Sequence, residues 1–205
     1  MTGRISAAVR RRRDRRAARL QWRRTVDALQ PPPPRAFAGW GVNTIIVPPA
    51  RVECPDCIAL GSEVILHEHA WLCVQRRDGL PAPSLTIGDR TSINRFAKIV
   101  CHGRVTIGAD ALIGDRVYIS DVQHLPWRGE ERAHPLTEPR PVTIGDRAFL
   151  GIAVVIKPGV TIGDDAYVGA GAVVHDDVPP SGVVVGDPAR LVRLRNPQTG
   201  EWEPV

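Results

Sequence analysis

The feature that most constrains this sequence of 205 residues is an aliphatic residue at every sixth position. From residue 144 to residue 174 the step is unbroken, and two earlier stretches keep it on either side of a two-residue insertion near Val105. An amphipathic helix has a period of about 3.6 residues and a strand a period of about 2, so neither explains this spacing. The positions are Ile87, Ile93 and Ile99, then Ile107, Ile113 and Ile119, and finally Ile144, Leu150, Ile156, Ile162, Val168 and Val174.

A period of six predicts a solenoid in which each six-residue step forms one flat side of a coil. Three sides close one turn of about 18 residues, and the aliphatic residue of each side points into the core. Thr-Ile-Gly-Asp or Thr-Ile-Gly-Ala occurs four times, beginning at residues 86, 106, 143 and 161. Glycine suits the corners of such coils, where the backbone needs a positive φ or a close approach. We therefore expect an all-β protein built as a parallel β-helix.

The repeat and its breaks divide the chain into a core domain with appendages. We predict coils over 58–195, the first of them weak, after a Pro-rich linker and irregular lead-in at 31–57 and before a tail at 196–205. Residues 125–141 are polar, charged and Pro-rich and lack the repeat, so we expect them to protrude as a loop. Long loops on rigid scaffolds are often functional, which makes this break a candidate site.

The net charge of +5 is unevenly distributed. Residues 1–30 contain ten Arg and two Asp, whereas residues 31–205 contain 17 basic and 20 acidic residues. This pattern predicts a basic helical arm at 1–30, either as a solvated helix or as an arm that contacts an anionic membrane surface weakly. Nucleic acid is not an expected partner, because no recognisable nucleic-acid-binding fold follows the arm.

The composition also indicates the cellular compartment of the protein. No segment approaches the ~18 apolar residues of a spanning helix, and no apolar stretch follows the N-terminal arginines as it would in a secretory signal. Four Cys in a chain of this size do not suggest a disulfide scaffold. Cys54 and Cys57 form a lone C-x-x-C with no second pair at metal spacing, so no metal is expected. We predict a cytoplasmic protein, free or peripheral to the inner face of the membrane.

Motifs around the loop make the chain similar to a known family. They are a D-x-x-H ending at His124, Val-Gly-Ala-Gly at 168–171, Val-Pro-Pro at 178–180, Gly-x-Pro-Ala-Arg at 186–190 and a final Arg193. In this order they resemble the hexapeptide-repeat acyltransferases, specifically the galactoside and maltose O-acetyltransferases and the exopolysaccharide and O-antigen acetyltransferases. The resemblance covers residues 58–195. It implies a left-handed parallel β-helix, a homotrimer with active sites between subunits, and transfer of an acetyl group from acetyl-CoA to a hydroxyl of a small, sugar-like acceptor.

The same resemblance implies the catalytic residues. An acceptor hydroxyl must lose its proton as it attacks the thioester, and imidazole, with an ordinary pKa of about 6.5, can accept a proton at pH 7. His124 matches the general base of the family, although a histidine at the base of a loop can also serve only packing. Asp121 could orient the imidazole, as in a triad, or could satisfy backbone amides in a turn.

The remaining site residues are likewise implied by matching positions. Asn94, thirty residues before His124, matches an acceptor-binding asparagine, and its alternative is a corner residue in a turn. Ala170 matches a position whose small size lets the pantetheine arm of CoA lie along the coil. Arg190 and Arg193 match two residues that meet the CoA phosphates, with solvated surface charges as the alternative.

Two other functions fit a β-helix. Zinc carbonic anhydrases of this architecture need three convergent histidines, and this chain lacks their H-x-x-x-x-H pair. A non-catalytic scaffold or binding protein is the other alternative, which the D-x-x-H motif and the arginine pair disfavour. Release of thiol from acetyl-CoA in the presence of acceptors would discriminate between them.

Overall fold

The computed structural model describes residues 31–126, 135–196 and 198–205, and within them the chain winds into a parallel β-helix of triangular section. Three sheets, which we name A, B and C, form the sides. Successive strands go to A, B and C in turn, so that each coil adds one strand to every sheet. We name the edges where the chain turns between sheets the AB, BC and CA corners.

The strands are short, as the six-residue period requires. Sheet A contains β1 (Gly39–Trp40), β4 (Ile58–Leu60), β7 (Ser84–Ile87), β10 (Arg104–Ile107), β13 (Val142–Ile144) and β16 (Thr161–Ile162). Sheet B contains β2 (Ile45–Ile46), β5 (Ile65–Leu66), β8 (Ser92–Ile93), β11 (Leu112–Ile113), β14 (Phe149–Leu150), β17 (Tyr167–Val168), β19 (Gly182–Val185), β20 (Arg190–Arg195) and β21 (Trp202–Pro204). Sheet C contains β3 (Arg51–Glu53), β6 (Trp71–Val74), β9 (Lys98–Cys101), β12 (Tyr118–Ser120), β15 (Val155–Ile156) and β18 (Val173–Val174). Two 3-10 turns, at Pro34–Ala36 and Pro55–Cys57, complete the regular elements of the described residues.

The aliphatic residues of the repeat form the core, as predicted. Each of the twelve positions is at most 1% exposed. Parallel pairing stacks them in columns, for example Ile87, Ile107, Ile144 and Ile162 along sheet A. Burying a side chain of this size contributes about 1.5–3 kcal/mol, and a second buried apolar residue two positions earlier, such as Val105 before Ile107, adds to the burial of each side.

The Gly-Asp pairs of the repeat tie adjacent coils together at the AB corner. Asp146 Oδ1 accepts a hydrogen bond of 2.8 Å from the backbone N–H of Ala109, and Asp164 Oδ1 accepts one of 2.9 Å from that of Asp146. A Cβ on Gly88 would lie 2.6 Å from the carbonyl carbon of Gly108, so a side chain there would separate the coils. The repeat motif therefore encodes the corner as well as the core.

The β-helix begins earlier than the sequence predicts. Strands β1, β2 and β3 pair in parallel with β4, β5 and β6 and form a full coil within the segment 31–57. Trp40, Ile46 and Val52 take the repeat positions of this coil, in register with Leu60, Leu66 and Leu72. Thr44 and Ala50 are also buried, and the Thr44 hydroxyl donates to Gly61 O at 2.5 Å. The step of six therefore reaches back to Trp40, an aromatic residue that a scan for aliphatic residues overlooks.

The predictions for the two ends of the chain had different outcomes. The segment 196–205 is not a plain tail, because β21 pairs antiparallel with β20 and extends sheet B. The helical arm predicted for 1–30 lies outside the described residues. Within the described residues, no helix has the length and apolar character needed to cross a membrane.

Candidate active site

The departures from the repeat are concentrated at the CA corner. The chain leaves the coils there at 75–83, at 102–103 and at 121–141, of which 127–134 lie outside the described residues. These segments join β6 to β7, β9 to β10 and β12 to β13, so they follow one another along a single edge of the prism.

His124 stands on this edge, exposed, four residues after β12. The loop returns beside it, because His124 and Leu136 form an isolated antiparallel bridge. On either side of the bridge, Leu125 N donates to Pro135 O at 2.7 Å and Thr137 N donates to Gln123 O at 2.9 Å. The backbone around His124 is therefore fixed even though its side chain is accessible.

Two arginines hold the returning limb of the loop. The Arg77 guanidinium donates to Thr137 O at 2.8 Å, and the Arg140 guanidinium donates to Pro158 O. Beneath the loop, a small apolar cluster covers the outer face of sheet C and consists of Cys73, Val100 and Val122 with Trp71 and Leu136. Burial in this cluster raises the pKa of the Cys73 thiol to about 11, so the thiol is a packing group at neutral pH.

Asp121 lies under the surface rather than in the open site. Its carboxylate is fully buried and accepts hydrogen bonds from the backbone N–H groups of His102, at 3.0 and 3.1 Å, and Gly103, at 2.7 Å. Burial raises the pKa of Asp121, and these amide hydrogen bonds oppose the rise. This arrangement is the turn role foreseen as one alternative. A role in orienting His124 stays a prediction.

His102 is a site residue that the sequence analysis missed. It is 5% exposed, and no described residue supplies a hydrogen-bond partner for its Nδ1. Burial lowers its pKa, an effect that the nearby charge of Asp121 opposes. The signal that could have found it was present, since His102 belongs to the two-residue break in the repeat near Val105.

A groove of about 590 Å³ runs from His124 across the outer face of sheet C. We name it the C-face groove. Its floor includes Trp71, Lys98 and Tyr118, which are neighbours in the register of β6, β9 and β12. The Lys98 ammonium lies 3.8 Å from the centre of the Trp71 ring. Its other lining residues are Cys73, Gln75, Val100, His102, Ser120, Val122, Gln123, Leu136, Ile156, Lys157 and Pro158.

Asn94 and Ala170 lie at a different edge, the BC corner. Asn94 follows β8, and Gly114, Gly151 and Gly169 take the same position in later coils. Ala170 is exposed directly after Gly169. In the last coils this edge carries the small residues Gly151, Gly169, Ala170 and Gly171, interrupted by the exposed side chain of Ile152. About six residues of extended chain separate the BC and CA corners, or roughly 20 Å, so one chain does not bring Asn94 or Ala170 to its own His124.

A β-bulge places Arg190 and Arg193 on the same face of sheet B. Val185 pairs with Arg190 and Val183 with Arg193, and the register shifts between Val183 and Val184. Val184 is 4% exposed and belongs to the core, so its two neighbours and their cross-strand partners point outward. Residues three apart on a regular strand would face opposite sides. The bulge thus aligns two exposed guanidinium groups that the sequence spacing alone would separate.

The BC corner fits a long, thin ligand that ends in phosphates. β17 pairs with β19 in a register that places Val185 beside Gly169, so the arginine pair continues the edge that carries Ala170. Gly169, Ala170 and Gly171 leave room for an extended chain beside the exposed Ile152, and guanidinium groups suit phosphate oxygens. In the described residues, no group of three His, Cys, Asp or Glu side chains is arranged to hold a metal ion.

Comparisons with known proteins agree with this geometry. Residues 141–176 match the family model described as bacterial transferase hexapeptide (six repeats). The chain is 40% identical over 154 residues to galactoside O-acetyltransferase of Escherichia coli (strain K12), and the match covers 72% of each protein.

Two solved structures extend the comparison. Galactoside acetyltransferase in complex with coenzyme A has a TM-score of 0.58 and 32% identity, covering 80% of this chain and 68% of that one. PerB from Caulobacter crescentus, in complex with CoA and GDP-perosamine, has a TM-score of 0.55 and 29% identity, covering 73% and 57%.

These relatives, together with the hexapeptide coils, show that the chain is an acyl-CoA-dependent transferase. The chain belongs to the hexapeptide-repeat acyltransferase family, whose fold is the left-handed β-helix, in the branch that contains galactoside O-acetyltransferase.

Proposed function

We propose that this enzyme transfers an acetyl group from acetyl-CoA to a hydroxyl of a sugar-like acceptor, with His124 as general base. The observation that carries the proposal is the placement of His124, which is exposed, backbone-fixed and at the end of the C-face groove. A general base must be accessible to a substrate that arrives from solvent, and its own position must be fixed. The relatives named above act on a galactoside or bind GDP-perosamine, which supports a sugar-like acceptor.

The reaction follows from this placement. The acceptor hydroxyl in the C-face groove gives its proton to His124 Nδ1 or Nε2 as its oxygen attacks the acetyl carbon. A carbon–oxygen bond forms, the carbon–sulfur bond breaks, and the proton passes from the imidazolium to the departing thiolate. Asp121, held by backbone amides next to His102, would stabilise the positive charge that His124 gains.

The BC corner would hold the acyl donor. Ala170 leaves room for the pantetheine chain, and Arg190 and Arg193 would bind the phosphates. Asn94, whose Oδ1 accepts a hydrogen bond of 3.1 Å from Ser92 Oγ, would use its amide N–H groups for an acceptor hydroxyl. Contacts to the phosphates, far from the reacting thioester, position the thioester without altering the chemical step.

A homotrimer would complete this site. The donor edge and His124 lie at opposite edges of sheet C, roughly 20 Å apart, so the donor edge of one subunit has to approach His124 of another. Flat faces of a triangular prism allow three copies to pack around an axis. Mass measurement in solution should give three copies, and a fully active monomer would contradict this part of the proposal.

We further propose that the enzyme works in the cytoplasm and that residues 1–30 hold it weakly to an anionic membrane surface. A chain shortened to 31–205 should keep its activity on soluble acceptors and lose binding to anionic vesicles. Equal vesicle binding by the two chains would reject the tether.

Thiol release from acetyl-CoA with a panel of glycosides tests the main proposal. Replacing His124 with Ala or Gln should lower kcat by about 10²–10⁴-fold. The melting temperature should stay unchanged, because the side chain is exposed. The KM for acetyl-CoA should also stay unchanged, because the proposed phosphate contacts of Arg190 and Arg193 hold the donor far from its thioester. Wild-type turnover by both variants would remove His124 from the mechanism. A complete absence of transfer by the native enzyme would favour the scaffold alternative.

A further inference from the structure

The distribution of lysine is unusual in this chain. Of 27 Lys and Arg residues only two are lysines, at positions 98 and 157. Both line the C-face groove that also contains His124. Every other Lys or Arg position holds an arginine, and several of these arginines pair with carboxylates, for example Arg90 with Asp110 and Arg147 with Asp165 at the AB corner.

Lys98 is held in place rather than extended into solvent. It is half-buried on β9, and its ammonium lies over the Trp71 ring at 3.8 Å from the ring centre. The Arg51 guanidinium lies 4.3 Å from the same ring centre. A cation over an indole ring is attracted to the ring face and keeps its remaining N–H groups for another partner. Lys98 is therefore a preorganised donor on the floor of the groove.

Lys157 brings a second charge to the CA side of the groove. It is half-buried and follows β15 directly, beside Pro158, whose carbonyl is occupied by Arg140. Among the described residues, no salt bridge joins Lys98 or Lys157 to a carboxylate. The two ammonium groups approach the groove from different strands of sheet C.

No acidic side chain of the described residues neutralises this charge. None lines the groove. Two carboxylates near the lining are already engaged, since Glu53 pairs with Arg51 at 2.6 Å and accepts from Gln75 Nε2 at 3.2 Å, while Asp121 lies buried against backbone amides. Positive groups gathered in a concave site raise the local potential and attract anions. Gln123 adds a side-chain amide to the same lining.

We propose that the acceptor is an anion, in which a carboxylate or phosphate group near the reacting hydroxyl is bound by Lys98 and Lys157. This inference rests on the proposed function and narrows its acceptor class. Uronic acid units and sugar phosphates share the required chemistry, a compact negative group within a few bonds of a free hydroxyl. Neutral glycosides offer no charged partner for two ammonium groups that form no salt bridge with any described carboxylate.

Equilibrium binding tests the proposal without requiring turnover. Calorimetric titration of the full-length enzyme should compare methyl hexosides with the corresponding methyl hexuronides and hexose 1-phosphates, in the gluco, galacto and manno series. We expect at least one anionic compound to bind about tenfold or more tightly than its neutral counterpart. This preference should shrink as salt is raised. Comparing the affinity for the hexuronides with that for the hexose phosphates shows whether the enzyme prefers a carboxylate or a phosphate. Binding of no anionic compound, or equal binding of matched pairs, would overturn the proposal.

Variants connect the preference to the two lysines. Lys98→Gln and Lys157→Gln should each reduce the preference for the anion about tenfold, and Lys157→Arg should retain most of it. Arg147→Gln removes an equal charge at the AB corner and serves as the matched control, with no expected change. Acetyl transfer that occurs without a charge preference contradicts this inference alone. Charge-selective binding without any transfer contradicts the proposed function alone.

Discussion

The arginine pair on β20 allows a quantitative test of donor binding. Replacing Arg190 or Arg193 with Ala removes one of two guanidinium groups that the bulge between Val183 and Val184 turns to the same outward face. Hydrogen bonds to charged groups contribute about 1.5–3 kcal/mol. Because both arginines are exposed in the free enzyme, we take the lower end of this range. The KM for acetyl-CoA should then rise about tenfold for each variant.

Steady-state thiol release at saturating acceptor provides the assay. Neither variant should change kcat or the acceptor KM by more than about twofold, because a phosphate contact far from the thioester is equally strong in the ground state and the transition state. Arg195→Ala is the matched control. It removes the same charge from the same strand, but the Arg195 Nε donates to Gly200 O at 2.9 Å in the turn before β21. Its KM for acetyl-CoA should stay near the native value.

Acyl donors made from dephospho-CoA, which lacks the 3′-phosphate, allow a second comparison. The variant whose arginine binds the 3′-phosphate should lose little further affinity when that phosphate is absent, whereas the other variant should still show its full defect. An unchanged KM for acetyl-CoA in both single variants, or an equal rise in Arg195→Ala, would refute the assignment of the donor to this face.

Two further predictions concern the CA corner. Arg77→Met removes the 2.8 Å hydrogen bond to Thr137 O, so kcat/KM for the acceptor should fall about three- to tenfold, with a small change in melting temperature and partial rescue by Arg77→Lys. Burial lowers the pKa of His102, so the unfolded chain binds a proton at higher pH than the folded one. Stability should therefore fall as pH drops from about 7 through the ordinary histidine pKa toward the lower folded value. The melting temperature of His102→Gln should be flatter over this pH range, and an unchanged slope would exclude His102 as the cause.

Much of the fold could be predicted from the sequence because the period of six acts through burial at fixed positions. The aliphatic columns were visible as Ile87, Ile107, Ile144 and Ile162 before any strand was assigned, and each proved buried. The first coil was missed because its six-residue step, Trp40, Ile46 and Val52, begins at an aromatic residue and lies in a Pro-rich segment. A second inward position of this coil holds a polar residue, Thr44. Its hydroxyl satisfies Gly61 O and the Val64 N–H of the next coil, an arrangement that only the stacked backbones reveal.

The site was harder to predict, because it depends on which corner each residue occupies. The loop and its neighbour His124 stood out as a break in the repeat. The C-face groove did not, since Trp71, Lys98 and Tyr118 are separated by 27 and 20 positions and meet only through the register of three strands. The orientation of the arginine pair was also hidden, because an irregularity between β19 and β20 decides it.

The confinement of every long excursion to the CA corner has an evolutionary consequence. Segments 75–83 and 121–141 leave and rejoin the coils without displacing any core column, and the BC corner keeps the same backbone throughout. Mutation can therefore lengthen, shorten or exchange the loops of one edge while the opposite edge stays constant. A lineage built on this scaffold can diversify the molecules it modifies and retain a single source of activated acyl groups.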